Sequence, residues 1–500
     1  MRFCRRYLAG LLGLLLVVGT GLRFHQLDEK SLWSDELFTV AMAKYYPFLP
    51  EEGQPLYRRI SVVEIGNGDT FFTAKSADQS PPLNDLLEKV TVSWLGTTEF
   101  AARLPAALAA CALLLWYAGF AWRHADPVVR RVLLWSLLFL TFYPYLISYA
   151  KEGRAYSVGV SLLGMAGLLW MLRWRNGWST WEPAGWLEIG LFTLACYAHY
   201  NAALLVALLL LPDAVMAWKQ RSRKAWLGLF SLGLVFSIWI ALHAHTILFT
   251  SSGRVAWAQK SAGEYVLLTL QQAPQALHTY WLVFTAIVSL GLLLKRWRLH
   301  QGLWPRSNAK ALQTLGGLIL LYIAGAGLLA AKAGMFNPRY YIFILPFVAV
   351  AMGTVFAQLQ QRWSIASAAV VVVALALPGI HSLESRQNED FRAMAESAVS
   401  GSDPSTLFLF PWEANRNTYR VYLESFLGGV DVSSRMVGIS LPGEAAKVCE
   451  RLRDSNHIAV VAHLSGRDLI DAVRASCGSQ WPQHTLNGFH GTFTEHWKAQ

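Results

Sequence analysis

The sequence predicts an α-helical polytopic membrane protein of about eleven spans, ending in a small α/β region. Three observations carry this. Of 500 residues, 54% are hydrophobic and only 15% are charged, an imbalance that a soluble chain of this length would not show. The apolar residues fall in runs long enough to cross a hydrocarbon core of about 30 Å. The last 120 or so residues instead alternate short apolar runs with amphipathic ones, the pattern of strands and helices.

The runs fall near 7–22, 101–122, 130–149, 155–172, 184–199, 200–217, 225–247, 274–294, 311–331, 340–358 and 363–380. The first follows a basic start, "MRFCRRYLAG". No small-residue cleavage pattern follows it, so it reads as an uncleaved span, not a leader. The basic loops set the orientation. With the N-terminus in the cytoplasm, inner loops carry Arg5, Arg6, Arg130, Arg131, Arg173, Arg221, Arg223, Lys295, Arg296 and Arg298, and outer loops carry far fewer cations. A net charge of +11 is thereby explained by membrane topology. No finger, P-loop or RNP-like motif points to nucleic acid.

This topology leaves two large segments outside. Residues 23–100 join the first two spans and contain "SPPLNDLLEKVTVSWLG", a proline-initiated amphipathic helix with Leu83, Leu86, Leu87 and Val90 on one face. It lies either along the membrane surface or inside the loop. Residues 381–500 form the α/β region, with "STLFLF" and "HIAVVAHL" as strands and "EDFRAMAESAV", "GEAAKVCERLRDS" and "GRDLIDAVRAS" as helices. Two of the five cysteines, Cys449 and Cys477, fall there. In an oxidising compartment they either pair or remain two thiols.

Polar residues gather at the outer ends of the spans. Asp35 and Glu36 follow the first, Arg103 opens the second, and Lys151, Glu152, Arg154 and Tyr156 lie between the third and fourth. His199 and Tyr200 divide two further spans, and Arg339 and Tyr340 open a late one. Ionisable groups at a bilayer edge are expensive to desolvate. Any single Arg can simply snorkel to the headgroups, but a set mixing acids, cations and aromatics suggests a site. Arg and Lys suit a phosphate, a carboxylate suits a proton taken from a hydroxyl or amine, and aromatics suit a sugar face or an acyl chain. Trp33 and Phe38 would anchor the acidic pair at the interface.

Five stretches, in order over roughly residues 30–350, carry a family resemblance. "LWSDELFT" resembles the W-x-D-E motif of the first outer loop of GT-C glycosyltransferases. "DQSPPLNDLL" resembles their H-P-P-L helix, "EFAARLPAAL" their R-L-P span start, "YAKEGRAYSV" their S-x-E-A-R-x-Y loop and "NPRYYIFILP" their R-Y-x-x-x-x-L-P span. The group is the protein O-mannosyltransferase and aminoarabinose-transferase-like superfamily. The resemblance implies a GT-C-like membrane module over 1–380 and a soluble extracytoplasmic domain over 381–500. It implies inverting transfer of a sugar from a polyprenyl-phosphate donor to a protein, lipid or glycan acceptor at the outer face of a bacterial-type inner membrane. Asp35 matches the catalytic Asp, and Glu36 would tune it. Arg154 and Arg339 fall where cations hold the donor phosphate, with Lys151 and Arg103 as further candidates. Tyr156, His199, Tyr200 and Tyr340 would line the substrate site. Ser80 stands where relatives carry His or a basic residue, and Gly153 replaces Ala, which leaves a divalent metal open. The competing class is a transporter or flippase of lipid-linked sugars, although no paired repeats of the kind transporters show are evident.

Overall fold

The computed structural model describes residues 2–220 except 51, 53–54, 57, 59–68, 79 and 177–182. It also describes 226, 230, 233–234, 237–238, 267, 316–328, 338–357 and 389–498 except 413–414 and 478–479. The first apolar run folds as α1 (Arg2–Phe24), and a short α2 (Ser34–Tyr45) follows it. Next come α3 (Phe71–Ala77), α4 (Leu83–Leu95) and the long α5 (Glu99–Arg123). The bundle continues through α6 (Pro127–Phe142), α7 (Pro144–Ala150), α8 (Ala155–Asn176), α9 (Pro183–Ala198) and α10 (Tyr200–Gln220). Two later helices are described, α11 (Gly316–Leu328) and α12 (Leu345–Phe356), the latter preceded by a 3-10 turn over Pro338–Ile344. Among the described residues four helices are long and apolar enough to cross a membrane, or five if the bent pair α6 and α7 is one span. The expected spans at 274–294 and 363–380, and most of that at 225–247, lie outside the described residues.

Prolines shape the bundle through the carbonyls they release. Pro144 has no N–H to give Leu140, and the chain bends by 58° between α6 and α7. The Arg23 guanidinium, buried at the end of α1, donates to the freed Leu140 carbonyl at 2.8 Å and to that of Gly19 at 2.9 Å. Pro105, inside α5, likewise leaves the Ala101 carbonyl open, and the Thr91 hydroxyl of α4 donates to it at 2.7 Å. The proline of the R-L-P motif therefore pins α4 to α5. Farther along, Arg173 of α8 joins Glu188 of α9 at 2.9 Å and Asp213 of α10 at 2.6 Å.

α4 is amphipathic as expected, but its polar face points inward. Asn84, Asp85, Glu88 and Lys89 are buried, whereas Leu87, Val90, Trp94 and Leu95 are exposed. Its 13 residues rise about 20 Å at 1.5 Å each, too short to span. An apolar face turned outward on a helix of that length fits the surface-lying alternative.

Residues 389–498 contain α13 (Phe391–Ser400), β1 (Leu407–Pro411), α14 (Arg416–Phe426), β2 (Met436–Ile439) and α15 (Ala445–Leu452). After them come β3 (His457–His463), α16 (Arg467–Cys477), β4 (Gln483–Gly488) and β5 (Thr492–Lys498). The strands form one mixed sheet in the order β2-β1-β3-β5-β4, with β1 parallel to β2 and β3 and β5 antiparallel to β3 and β4. Side chains alternate across it. Phe408, Phe410, Ala459 and Val461 pack on α13 and α14, and the same cluster takes in Leu32, Leu37 and Val40 around α2. Leu409, Ile458 and Val460 pack on α15 and α16. Cys449 of α15 and Cys477 of α16 are joined in a disulfide.

Candidate active site

α2 begins without a capping oxygen of its own, because Trp33 at its N-cap has none to offer. The Glu36 carboxylate reaches back to accept from the Trp33 N–H at 3.2 Å. The same carboxylate takes both arms of Arg103 at 2.9 Å and the Gly153 N–H at 2.6 Å. Arg103 spends its remaining donors on the carbonyls of Leu27, Lys30 and Ser31. Glu36 is 0% and Arg103 2% exposed, so this is a buried clamp that holds the loop before α2. The Glu36 and Arg103 side chains, expected beside Asp35 and a donor phosphate, are here engaged with each other and with the loop backbone. The Gly153 replacement also has its reason here. A Cβ at that position would lie 3.0 Å from the Ala102 carbonyl oxygen.

Asp35, one residue away, points elsewhere, with its side chain 45% exposed. Its Oδ2 stands 3.9 Å from Nη2 of Arg154. Nη1 of Arg154 donates to the Asp35 carbonyl at 3.2 Å and the Thr39 hydroxyl at 3.0 Å, gripping the first turn of α2. Arg339 completes the group. It lies 3.9 Å from Oε1 of the buried Glu152, with its guanidinium over the rings of Trp33 at 5.3 Å and Tyr156 at 5.5 Å. Trp33 therefore covers a cation, and Phe38 packs against the cluster of Met42, Tyr46 and Phe71.

An aromatic floor lies beneath. The ring of Tyr156 is 5.0 Å from that of His199, which is 4.7 Å from Phe343 and 6.1 Å from Tyr340. His199 breaks the chain between α9 and α10, where the Asn201 N–H donates to its Nδ1 at 3.1 Å. Tyr200 opens α10 beside it, partly buried against the bundle core. The structure thus gathers Asp35, Arg154, Arg339, Tyr156, His199 and Tyr340 at one end of the bundle. Lys151 belongs to a different neighbourhood, where Glu29, Lys30 and Arg103 act on it. Burial first, and then Lys30, lowers its ammonium to about 8.

Sequence reasoning missed one cluster. Lys75 is buried between Asp78 and Asp85 and donates to the Ser80 hydroxyl at 2.7 Å. Ser80 donates in turn to Asp78 at 2.6 Å. Lys75 thus places a cation against Ser80, the residue just before the two prolines. The available signal was the alternation of charges in "KSADQSPPLND". Among the described residues no three His, Cys, Asp or Glu side chains stand together as metal ligands. The His199 ring is instead surrounded by the rings of Tyr156, Phe343 and Tyr340.

No family model and no curated protein sequence matches the chain. Solved structures do. The crystal structure of ArnT from Cupriavidus metallidurans bound to undecaprenyl phosphate is 12% identical, with 98% of each chain covered and a TM-score of 0.56. Its apo state is 13% identical over the same share, with a TM-score of 0.58. The chain therefore has the fold of ArnT.

Proposed function

We propose that the chain is a glycosyltransferase that moves a sugar from a polyprenyl-phosphate donor to an acceptor at the outer face of the membrane. The observation that carries this is the pairing of a half-exposed carboxylate, Asp35, with Arg154 at 3.9 Å and Arg339 close by. A base and two cations at one end of an apolar bundle suit a phosphate-linked sugar on a lipid. ArnT, which shares the fold, has been crystallised with undecaprenyl phosphate.

In this reading the acceptor O–H or N–H gives its proton to Asp35 as its oxygen or nitrogen bonds to the anomeric carbon. The carbon–oxygen bond to phosphate breaks from the opposite face, and the leaving polyprenyl phosphate keeps the electron pair. Arg154 and Arg339 balance the charge that builds there. Tyr156 and Tyr340 offer faces to the sugar, and the apolar outer face of α4 meets the membrane lipids that carry the donor.

The test is turnover of a panel of labelled polyprenyl-phosphate sugars by the chain in lipid nanodiscs. Asp35→Asn is expected to fold, to bind undecaprenyl phosphate as before, and to lose about 100- to 10,000-fold in transfer. Near-normal transfer by that variant would overturn the role of Asp35.

A further inference from the structure

The first N–H groups of a helix have no partner within it, and Trp33 cannot supply one for α2. The Ser34 N–H finds its acceptor 355 positions away, in Oε2 of Glu389 at 3.0 Å. The other oxygen of Glu389 lies 3.0 Å from Nε2 of His463, at the end of β3. His463 is oriented in its turn. Its Nδ1 accepts from the Ser465 N–H at 3.1 Å, which leaves Nε2 to carry the proton toward Glu389. The backbone around Glu389 is fixed as well. Gly491, at φ +70°, passes so close that a Cβ there would lie 2.9 Å from Cγ of Glu389, and the Asp390 N–H donates to the His490 carbonyl at 2.8 Å. Glu389 is thus a rigidly held acceptor brought to the first turn of α2, one residue from Asp35.

We propose that Glu389, oriented by His463, is a positioning residue for Asp35: it caps α2 from the C-terminal sheet and sets where the Asp35 carboxylate stands. This rests on the reading of Asp35 as the base. It gives the C-terminal region a task in the reaction without contact to donor or acceptor. Small displacements of a reacting group are costly, since a misplacement of about 1 Å can lower a rate about a hundredfold.

The experiment compares the full-length wild type with Glu389→Ala, His463→Ala, His463→Gln and Asp35→Asn. The first readout needs no substrate: hydrogen exchange of the amides at residues 34–36. Glu389→Ala should speed it about 2- to 30-fold, the factor for losing a cap of about 0.5–2 kcal/mol, with exchange in α5 unchanged. The second is a split between kcat and binding. With the donor that the wild type consumes, kcat should fall about tenfold or more, while affinity for undecaprenyl phosphate stays within about twofold. His463→Ala should show both effects, and His463→Gln, which restores an N–H donor, should recover part of each. Unchanged exchange in Glu389→Ala, or loss of kcat and undecaprenyl phosphate affinity by the same factor, would overturn the proposal. If Glu389→Ala does not fold, the His463 pair decides by the same criteria. An active Asp35→Asn would count against the base, and the exchange result would still judge the cap.

Discussion

Lys151 carries a cost that its surroundings explain. Burial, and then Lys30, brings its ammonium down to about 8 from the ordinary value near 10.5. Its folded pKa is depressed, so the penalty is fully present below pH 8 and disappears as pH rises toward 10.5, where the unfolded chain also loses the proton. Lys151→Met should therefore melt higher than wild type at pH 7, and thermal scans should show the gap closing by pH 10. A gap that widened with pH would contradict this. The same scale shows what the sequence can and cannot disclose. "LWSDELFT" marked the turn of chain that meets Arg103 and Arg154, because two acids beside Trp and Leu are hard to place without a reason. Nothing in it separates the two acids. Successive residues on a helix point about 100° apart, so Asp35 looks out and Glu36 looks in. Only Arg103, 67 positions along, decides which is which.

At the scale of elements, α4 shows how a legible pattern can be turned the other way round. The apolar stripe on Leu87 and Val90 was readable, but that its polar face would be the buried one depended on what that face meets. It meets the Ala43 and Tyr46 carbonyls through Lys89, and Lys75 through Asp85. Glu88 sits among these with Asn84 donating to it at 2.6 Å. Burial first, and then the charge of Asp85, raises its carboxyl well above the usual range. Folding therefore favours the acid form of Glu88. Its contribution is complete below the ordinary carboxylate pKa and is lost as pH climbs through the raised value. Glu88→Gln, close in shape to the protonated acid, should match wild type in melting temperature near pH 5 and exceed it at pH 8, by about 2 °C or more. A variant that is less stable at both pH values would mean that Glu88 works as a carboxylate. The proline of the R-L-P motif was legible as a motif but not as a device, since the partner of the Ala101 carbonyl, Thr91, lies on another helix.

Across the whole molecule, the segment before α2 is held from two sides. Arg103 grips it from the bundle. From the sheet side, Tyr422 accepts from the Leu32 N–H at 2.9 Å, the Arg392 N–H donates to the Ser31 hydroxyl at 3.1 Å, and Glu389 caps Ser34. The candidate site thus joins the membrane bundle and the C-terminal sheet, a pairing that hydropathy patterns could not indicate because it links residues more than 350 positions apart. The arrangement also ties the redox state of the sheet to the topology. The charge bias of the loops predicts an extracytoplasmic C-terminal region, and a disulfide persists only in an oxidising compartment. The Cys449–Cys477 bond closes a loop with a sequence separation of 28, for which chain entropy gives a stabilisation of about 3–4 kcal/mol. Cells quenched rapidly with an alkylating agent should yield the two cysteines as a linked peptide pair, with Cys111 and Cys196, free and buried in the bundle, alkylated only after unfolding. Replacing the pair with alanine should destabilise the C-terminal sheet by roughly that 3–4 kcal/mol. Recovery of Cys449 and Cys477 as alkylated thiols from unstressed cells would put the sheet in a reducing compartment. That result would reverse the orientation, and with it the assignment of Asp35 to the outer face.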